Sequence, residues 1–217
     1  LKLERSIKSG TFTFEQGMSV VEVARMLKIG TNSAVKLVIN NARTPEALAG
    51  KVARQLDVDS VTMRNTLRDE QFIHEMGYNS AEEMFSIFIP NTYEVFPNVE
   101  PKELVRRMKI ESDRFWVSHQ AQLEKINLSE LEVMTLASIV HEETSAQSEM
   151  ARVAGVYINR LRRGMPLQAD PTVKYAVGDP TLKRILFRHL EVESPYNTYK
   201  HLGLPPTPIA MPDMVVV

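Results

Sequence analysis

The stretch Ala137–Thr172 reads ASIVHEETSAQSEMARVAGVYINRLRRGMPLQADPT, and it decides the fold of this chain. A capping box, Ser129-Glu130-Leu131-Glu132, precedes it and predicts a helix start at Ser129. The apolar residues that follow cover more than one helix face, which predicts a helix buried on most sides. A second apolar stripe predicts another helix, ending at Gly164. The segment Leu167–Thr172 is polar, and we predict a loop there.

Composition limits the classes of protein to consider. The chain has 217 residues, of which 43% are hydrophobic and 24% charged, as in ordinary globular proteins. A formal net charge of −1 argues against nucleic acid or an anionic membrane surface as a partner. The absence of cysteine excludes disulfides, thiolate zinc sites and cysteine nucleophiles. It fits the cytosol and a disulfide-free periplasmic protein equally.

The rest of the chain predicts an α+β protein in three parts. Thr11–Phe14 alternates like a strand, a helix begins at Val20 and stops at Gly30, and Val35–Ile39 is a second strand. This β-α-β unit defines a first domain, residues 1–42. Residues 43–128 are predicted to be mostly helical, with Trp116 in the core or in the wall of a groove. Residues 129–217 form the third part, an α+β domain rich in proline towards its end.

Glu143 is the first candidate for chemistry. It follows Leu136, Ile139 and Val140 at helical offsets, so we expect it to continue an apolar face. Burial, the C-terminal end of the helix dipole and the neighbouring Glu142 would each raise its pKa. A carboxyl group protonated near neutral pH suits a general acid. The alternative is a solvated acidic pair at a helix end.

Other catalytic and metal sites find little support in the sequence. His141-Glu142-Glu143-Thr144-Ser145 resembles a zinc motif, but Ser145 stands where the second histidine is required. The remaining histidines lack ligand spacing, so we predict no metal. Ser138 has no adjacent histidine and no nucleophile-elbow glycines, which argues against a serine hydrolase. We find no phosphate-binding glycine loop and predict no cofactor.

Two polar segments could hold a hydroxyl-rich ligand such as a sugar. Leu167–Thr172 offers amide, carboxylate and hydroxyl groups, and Pro195–Tyr199 offers two aromatic rings with an amide between them. Sugars need bidentate polar partners and flat stacking surfaces. Alternatively, these residues form Asx-type turns and the tyrosines belong to the core.

Taken together, these segments resemble the YceG-like family of endolytic peptidoglycan transglycosylases. The resemblance covers nearly the whole chain in the family's order. It rests on these segments: ASIVHEET at 137–144, VAGVYINRLRRGM at 153–165, LQADPTVKYAVG at 167–178, SPYNTYKHLGLPPTPIAMP at 194–212, and IPNTYEV at 89–95. The N-terminal GTFTFEQGMSVVEVARMLKIG resembles the family's LysM-like subdomain, which would occupy residues 1–42.

The resemblance implies a lytic transglycosylase that cleaves the β-1,4 bond between N-acetylmuramic acid and N-acetylglucosamine and leaves a 1,6-anhydro end. In the family a Glu-x-Glu motif follows the Ala-Ser-Ile run. His141 replaces the first of these glutamates here and Glu143 matches the second, so Glu143 is the implied general acid and base. The implied substrate contacts are Gln168, Asp170, Thr172, Tyr196, Asn197, Thr198 and Tyr199.

The resemblance also implies a location and partners. We expect a single N-terminal anchor in the cytoplasmic membrane, with the catalytic part on the periplasmic or extracellular side. We also expect a further helix and strand after the proline-rich segment, so that residues 129–217 would be a truncated catalytic domain. The partners would be glycan strands and proteins of cell-wall synthesis or division. Two alternatives stay open: hydrolysis by water activated at Asp170 or Glu142, and a non-catalytic glycan-binding module.

Overall fold

The structure is a computed structural model that describes Phe12 and residues 14–29, 34–179 and 181–217. Helices dominate it, and one two-stranded sheet accompanies them. In chain order the elements are α1 (Val20–Ile29), β1 (Val35–Ile39), α2 (Pro45–Ala53), α3 (Ser60–Leu67), α4 (Glu70–Glu75), α5 (Ala81–Met84), a 3₁₀ turn (Phe85–Ile87), β2 (Asn91–Val95), α6 (Pro101–Ile126), α7 (Glu130–Glu143), α8 (Gln147–Arg162), α9 (Asp170–Val177) and a second 3₁₀ turn (Phe187–Glu191). This content confirms the α+β class.

Side-chain caps start several of these helices, and the cap of α7 lies where the sequence predicts it. Thr44 caps α2 by accepting a hydrogen bond from the Ala47 amide, and a proline follows in the first turn. At α7 both halves of the capping box between Ser129 and Glu132 are present. These local bonds satisfy backbone N–H groups that have no partner within the helix.

The single sheet of the described residues joins two segments that are distant in sequence. β1 pairs with β2 in antiparallel register, from Val35 opposite Val95 to Ile39 opposite Asn91. Strand β1 was predicted correctly, but its pairing with β2 was not. Of the strand predicted over Thr11–Phe14, Thr11 and Thr13 lie outside the described residues, so the LysM-like unit of residues 1–42 stays a prediction.

The largest apolar core lies between this sheet and the helices of the first half of the chain. Its fully buried side chains include Leu37 of β1, Leu48 of α2, Phe72 of α4 and Leu104 of α6. This core therefore spans the predicted boundary at residue 42, and the division into residues 1–42, 43–128 and 129–217 stays a prediction.

Helix α6 connects this first core to the second half of the chain. Trp116, near its middle, is 3% exposed and packs with Leu123 of α6 and with Val133 and Met134 of α7. This confirms that Trp116 is a core residue. Helix α7 is buried continuously from Val133 to Val140, so the prediction of a helix covered on most sides is also confirmed.

The proline-rich segment near the C-terminus is hydrogen-bonded to α7. The buried Ser138 hydroxyl donates to the Thr135 carbonyl at 2.7 Å and accepts from the Ile209 amide at 3.0 Å. Two residues later, the Met211 amide donates to the Ala42 carbonyl at 2.8 Å. Ser138 is therefore a structural link between α7 and the proline-rich segment.

Two expectations for residues 129–217 are corrected. The polar segment at Leu167–Thr172 is not wholly a loop, because α9 begins at Asp170 with Pro171 in its first turn. Proline is tolerated there, and the aspartate complements the positive end of the helix dipole. Moreover, the described part of 129–217 consists of helices and loops, so the strands predicted for this domain are not found in it.

Among the described residues, no helix is both long enough and apolar enough to cross a lipid bilayer.

We expect Ser138→Ala to lower the free energy of unfolding by about 1–3 kcal/mol. The substitution leaves the buried Ile209 N–H without its acceptor, and an unsatisfied buried donor has a cost of this size. Urea unfolding followed by circular dichroism measures the change. The matched control is Ser118→Ala on α6, where the serine hydroxyl is exposed, and it should change stability by less than about 0.5 kcal/mol. Equal stability of the two variants would contradict a structural role for Ser138.

Candidate active site

Glu143 is the last residue of α7, and its environment differs from the prediction. Ile139 and Val140 are fully buried, yet Glu143 is exposed. The helix extends past the edge of the core by its final turn, so a position on the apolar face is no longer covered there. The prediction that Glu143 is buried is therefore wrong, and its carboxyl group lies open to a ligand.

Tyr157 of α8 contacts Glu143 from the core side. Its hydroxyl donates to Glu143 Oε2 at 3.3 Å, and its ring is 6% exposed. Burial raises the pKa of Tyr157, and the negative charge of Glu143 raises it further. The phenol therefore stays protonated and remains a hydrogen-bond donor to the carboxylate.

Arg160 lies one turn after Tyr157 on the same helix. Its guanidinium donates to the Leu167 carbonyl, and its positive charge acts on both Tyr157 and Tyr199. The next residue, Gln168, is exposed and has a φ of 51°, in the left-handed region. Arg160 thus holds the turn that leads into α9, where Asp170 is the first helical residue.

Asp170 and Tyr199 form a second donor–acceptor pair in the same cluster. The Tyr199 hydroxyl donates to Asp170 Oδ1 at 2.7 Å. Burial, this hydrogen bond and the charges of Asp170 and Glu143 raise the pKa of Tyr199 to about 12. The charge of Glu143 acts on both tyrosines, so the two pairs lie near one another.

Three of the predicted contact residues are internal. Thr172, Asn197 and Thr198 are at most 2% exposed. Thr198 Oγ1 accepts from the Ala169 amide at 3.0 Å and lies 2.8 Å from Thr172 Oγ1. The Asn197 side chain donates to the carbonyls of Leu190 and Val192 and accepts from the Tyr199 amide. These side chains fix the backbone that presents Asp170 and Tyr199.

Tyr196 is directed away from this cluster. Its ring packs against Tyr175 of α9 with centroids 4.7 Å apart, and its hydroxyl lies 2.6 Å from Thr207 Oγ1. It is partly buried in the second-half core. In this conformation Tyr196 joins α9 to the proline-rich segment.

Glu142 contributes to a different surface. Its side chain is 18% exposed and accepts a hydrogen bond from Arg43 at 2.6 Å. Both residues line a cavity of 510 Å³ with Lys174 and Tyr175 of α9. Glu142 therefore has a cationic partner, whereas Glu143 has a neutral phenol.

His141 and the other titratable residues do not assemble a metal site. His141 Nδ1 lies 3.7 Å from Asp213 Oδ2 and has no hydrogen-bond partner among the described residues. Within those residues no group of three or more histidine, aspartate or glutamate side chains could hold a metal ion.

The site thus brings together Glu143, Gln168, Asp170 and Tyr199 from the sequence predictions and adds Tyr157 and Arg160. Tyr157 belongs to the second apolar stripe of the sequence, and its hydroxyl was not considered as a functional group. A tyrosine in such a stripe needs a polar partner for its hydroxyl, and an arginine one turn later adds a second polar group on the same side. The tyrosine and the arginine three residues after it could therefore have indicated these two site residues from the sequence.

Comparison with known proteins identifies a family and several relatives. A model of the YceG-like family matches residues 1–216. The endolytic murein transglycosylase of Bacillus subtilis strain 168 is 28% identical over 218 residues, which cover 94% of this chain and 60% of the relative. That of Streptococcus pneumoniae serotype 2 is 26% identical over 209 residues, covering 94% of this chain and 37% of the relative.

A solved structure is similar as well. The crystal structure of a YceG-like protein from Listeria monocytogenes superposes with a TM-score of 0.70 at 26% identity, covering 97% of this chain and 74% of that protein. The chain therefore spans about 60% of the length of its Bacillus subtilis relative and about 37% of the pneumococcal one.

We expect Asp170→Asn to lower the pKa of Tyr199 from about 12 towards the ordinary value of 10.0, because it removes the carboxylate that favours the neutral phenol. The folded protein holds this proton more tightly than the unfolded chain. Its contribution to stability is therefore complete below pH 10 and is lost as the pH rises towards about 12.

The ultraviolet absorbance of tyrosinate, taken as the difference between each protein and its Tyr199→Phe counterpart, measures this pKa. Asp179→Asn is the control, since Asp179 is exposed and bonds to Thr181. Superimposed titrations of the wild type and Asp170→Asn would contradict the hydrogen bond.

Proposed function

The chain belongs to the YceG-like family, and we propose from this premise that it is an endolytic lytic transglycosylase of peptidoglycan. The observation that carries the proposal is the position of Glu143. It is an exposed carboxyl group that accepts a hydrogen bond from a buried tyrosine, and its charge also acts on Tyr199 of the Asp170–Tyr199 pair. Two relatives of this chain carry the name endolytic murein transglycosylase.

The proposed reaction cleaves the β-1,4 bond between N-acetylmuramic acid and N-acetylglucosamine. Protonated Glu143 donates its proton to the glycosidic oxygen as the bond from that oxygen to the anomeric carbon breaks. The resulting carboxylate then takes the proton of the muramic C6 hydroxyl, whose oxygen attacks the anomeric carbon. A 1,6-anhydro ring closes, no water is consumed, and Glu143 returns to its starting protonation state.

The geometry favours Glu143 over Glu142 for this role. Glu142 is bonded to the Arg43 guanidinium at 2.6 Å and lines the 510 Å³ cavity that contains Lys174 and Tyr175. The Arg43 guanidinium therefore occupies the Glu142 carboxylate, whereas the Glu143 carboxyl group is exposed. Tyr157 donates to Glu143 and can therefore orient its exposed carboxyl group towards a ligand.

The other polar groups of the site suit the binding of a glycan. Asp170 and Tyr199 are held together and oriented, and Gln168 projects from the left-handed turn beside them. We propose these three as substrate contacts, since sugar hydroxyls need such paired donors and acceptors. Thr172, Asn197, Thr198 and Tyr196 would act by positioning them. The reaction as proposed needs no metal or cofactor.

This activity would be used outside the cytoplasmic membrane, where glycan strands are assembled. We propose that the full protein is anchored there and works beside proteins of cell-wall synthesis or division.

We expect Glu143→Gln to reduce the cleavage of purified peptidoglycan by a factor of about 10²–10⁴, the contribution typical of a general acid or base. Glu142→Gln is the matched control and should retain most of the activity, because its ion pair with Arg43 is partly exposed and contributes little. Mass spectrometry of the released muropeptides measures both the amount and the chemistry. The expected products are lighter by one water than hydrolytic ones.

The same spectra separate the alternatives. Products of full hydrolytic mass would indicate a hydrolase that activates water. Loss of activity in Glu142→Gln with retention in Glu143→Gln would reverse the assignment of the acid. No products from the wild-type chain, together with binding to peptidoglycan, would indicate a binding module.

We also expect Tyr157→Phe to lower kcat by about tenfold while changing the free energy of unfolding by less than about 1.5 kcal/mol, the net value of one hydrogen bond. The substitution keeps the buried ring and removes the hydroxyl that orients Glu143. Steady-state kinetics and urea unfolding give the two numbers. A change in KM alone would contradict a positioning role for Tyr157.

A further inference from the structure

A second groove adjoins the candidate active site. It has a volume of 340 Å³ and shares Asp170 and Tyr199 with the cluster around Glu143. The other lining residues are Arg184, Ile185, Leu186, Phe187 and Leu190. These come from the segment before and within the second 3₁₀ turn, outside the cluster around Glu143.

Phe187 is the unusual residue of this groove. It is 90% exposed, more than any other large apolar side chain of the described residues, and Leu186 beside it is 44% exposed. An exposed aromatic ring at the edge of a polar groove provides a flat apolar surface, as binding sites for amphipathic ligands do. A pyranose ring is such a ligand, because its C–H groups form apolar faces and its hydroxyls lie around the rim.

The polar side chains of the groove can form hydrogen bonds with the hydroxyls of a pyranose. Asp170 offers acceptors and Arg184 offers several donors in a fixed plane. Arg184 forms no ion pair within the part of the chain that the structure describes. Arg184 can therefore donate to a sugar hydroxyl, and Asp170 can accept from a neighbouring one beside its bond from Tyr199.

The segment that carries Phe187 is fixed relative to the site. The buried Asn197 amide donates to the carbonyls of Leu190 and Val192, and its oxygen accepts from the Tyr199 amide. One side chain thus links the 3₁₀ turn to the backbone of Tyr199. The backbone that follows Phe187 is therefore held relative to the Asp170–Tyr199 pair before any ligand arrives, which lowers the entropic cost of binding.

We propose that this groove is a saccharide-binding subsite, in which one ring of the glycan strand lies against Phe187 while its hydroxyls bond to Asp170 and Arg184. The inference rests on the proposed function, because that function supplies the glycan strand as the ligand. A sugar held beyond the cleaved bond would anchor the strand along its length, as internal cleavage requires.

The test compares Phe187→Ala with Phe187→Tyr, which keeps the ring, and with Phe96→Ala, a control at another exposed phenylalanine that does not line the groove. Cleavage of purified glycan strands gives KM and kcat. Co-sedimentation with intact sacculi, measured in a Glu143→Gln background, gives Kd without cleavage. We expect Phe187→Ala to raise KM and Kd by about tenfold with kcat nearly unchanged, as the loss of one stacked ring would do. The other two variants should stay within about twofold.

The outcomes separate this inference from the proposed function. Anhydro products with unchanged KM and Kd in Phe187→Ala would overturn the subsite and leave the transglycosylase standing. A fall in kcat alone would also overturn the subsite. No products from the wild type, with a weaker Kd in Phe187→Ala, would overturn the activity and support the groove as a glycan-binding site.

Discussion

The site depends on a buried pair of threonine hydroxyls. Thr172 and Thr198 lie 2.8 Å apart, and Thr198 also accepts from the Ala169 amide. Each such bond contributes only about 0.5–1.5 kcal/mol net, but a buried hydroxyl left without a partner costs more. The start of α9 and the loop that carries Tyr199 are therefore held together, and Asp170 meets Tyr199 as a consequence. Asn197 extends the same constraint to the 3₁₀ turn that bears Phe187.

The local features of the fold could be predicted because the residues that produce them are neighbours in sequence. Thr44 and Ser129 cap their helices through bonds spanning three residues, and Val35–Ile39 forms a strand from its own alternation and β-branching. The burial of α7 follows from apolar residues on more than one of its faces. In each case the signal lies within one turn or one short strand.

The predictions that failed concern features that depend on distant partners or on where the core ends. No local pattern shows that Val35–Ile39 pairs with Asn91–Val95. Helical periodicity placed Glu143 on the apolar face correctly, but it contains no information on how far the neighbouring elements cover that face. The start of α9 at Asp170 was missed because aspartate and proline together resemble a turn, although both residues also favour the first turn of a helix.

At the end of α7, three consecutive residues make contacts with three different parts of the chain. Consecutive helical residues project about 100° apart, so His141, Glu142 and Glu143 face different neighbours. His141 lies near Asp213 of the C-terminal segment, Glu142 pairs with Arg43 before α2, and Glu143 accepts from Tyr157 of α8. In the proposed transglycosylase reaction a single carboxyl group alternates between acid and base, so His141 can occupy the first position of the motif without removing a group that the chemistry needs. The direction in which each of these three side chains points, more than its residue type, therefore decides which of the three can act on a glycan.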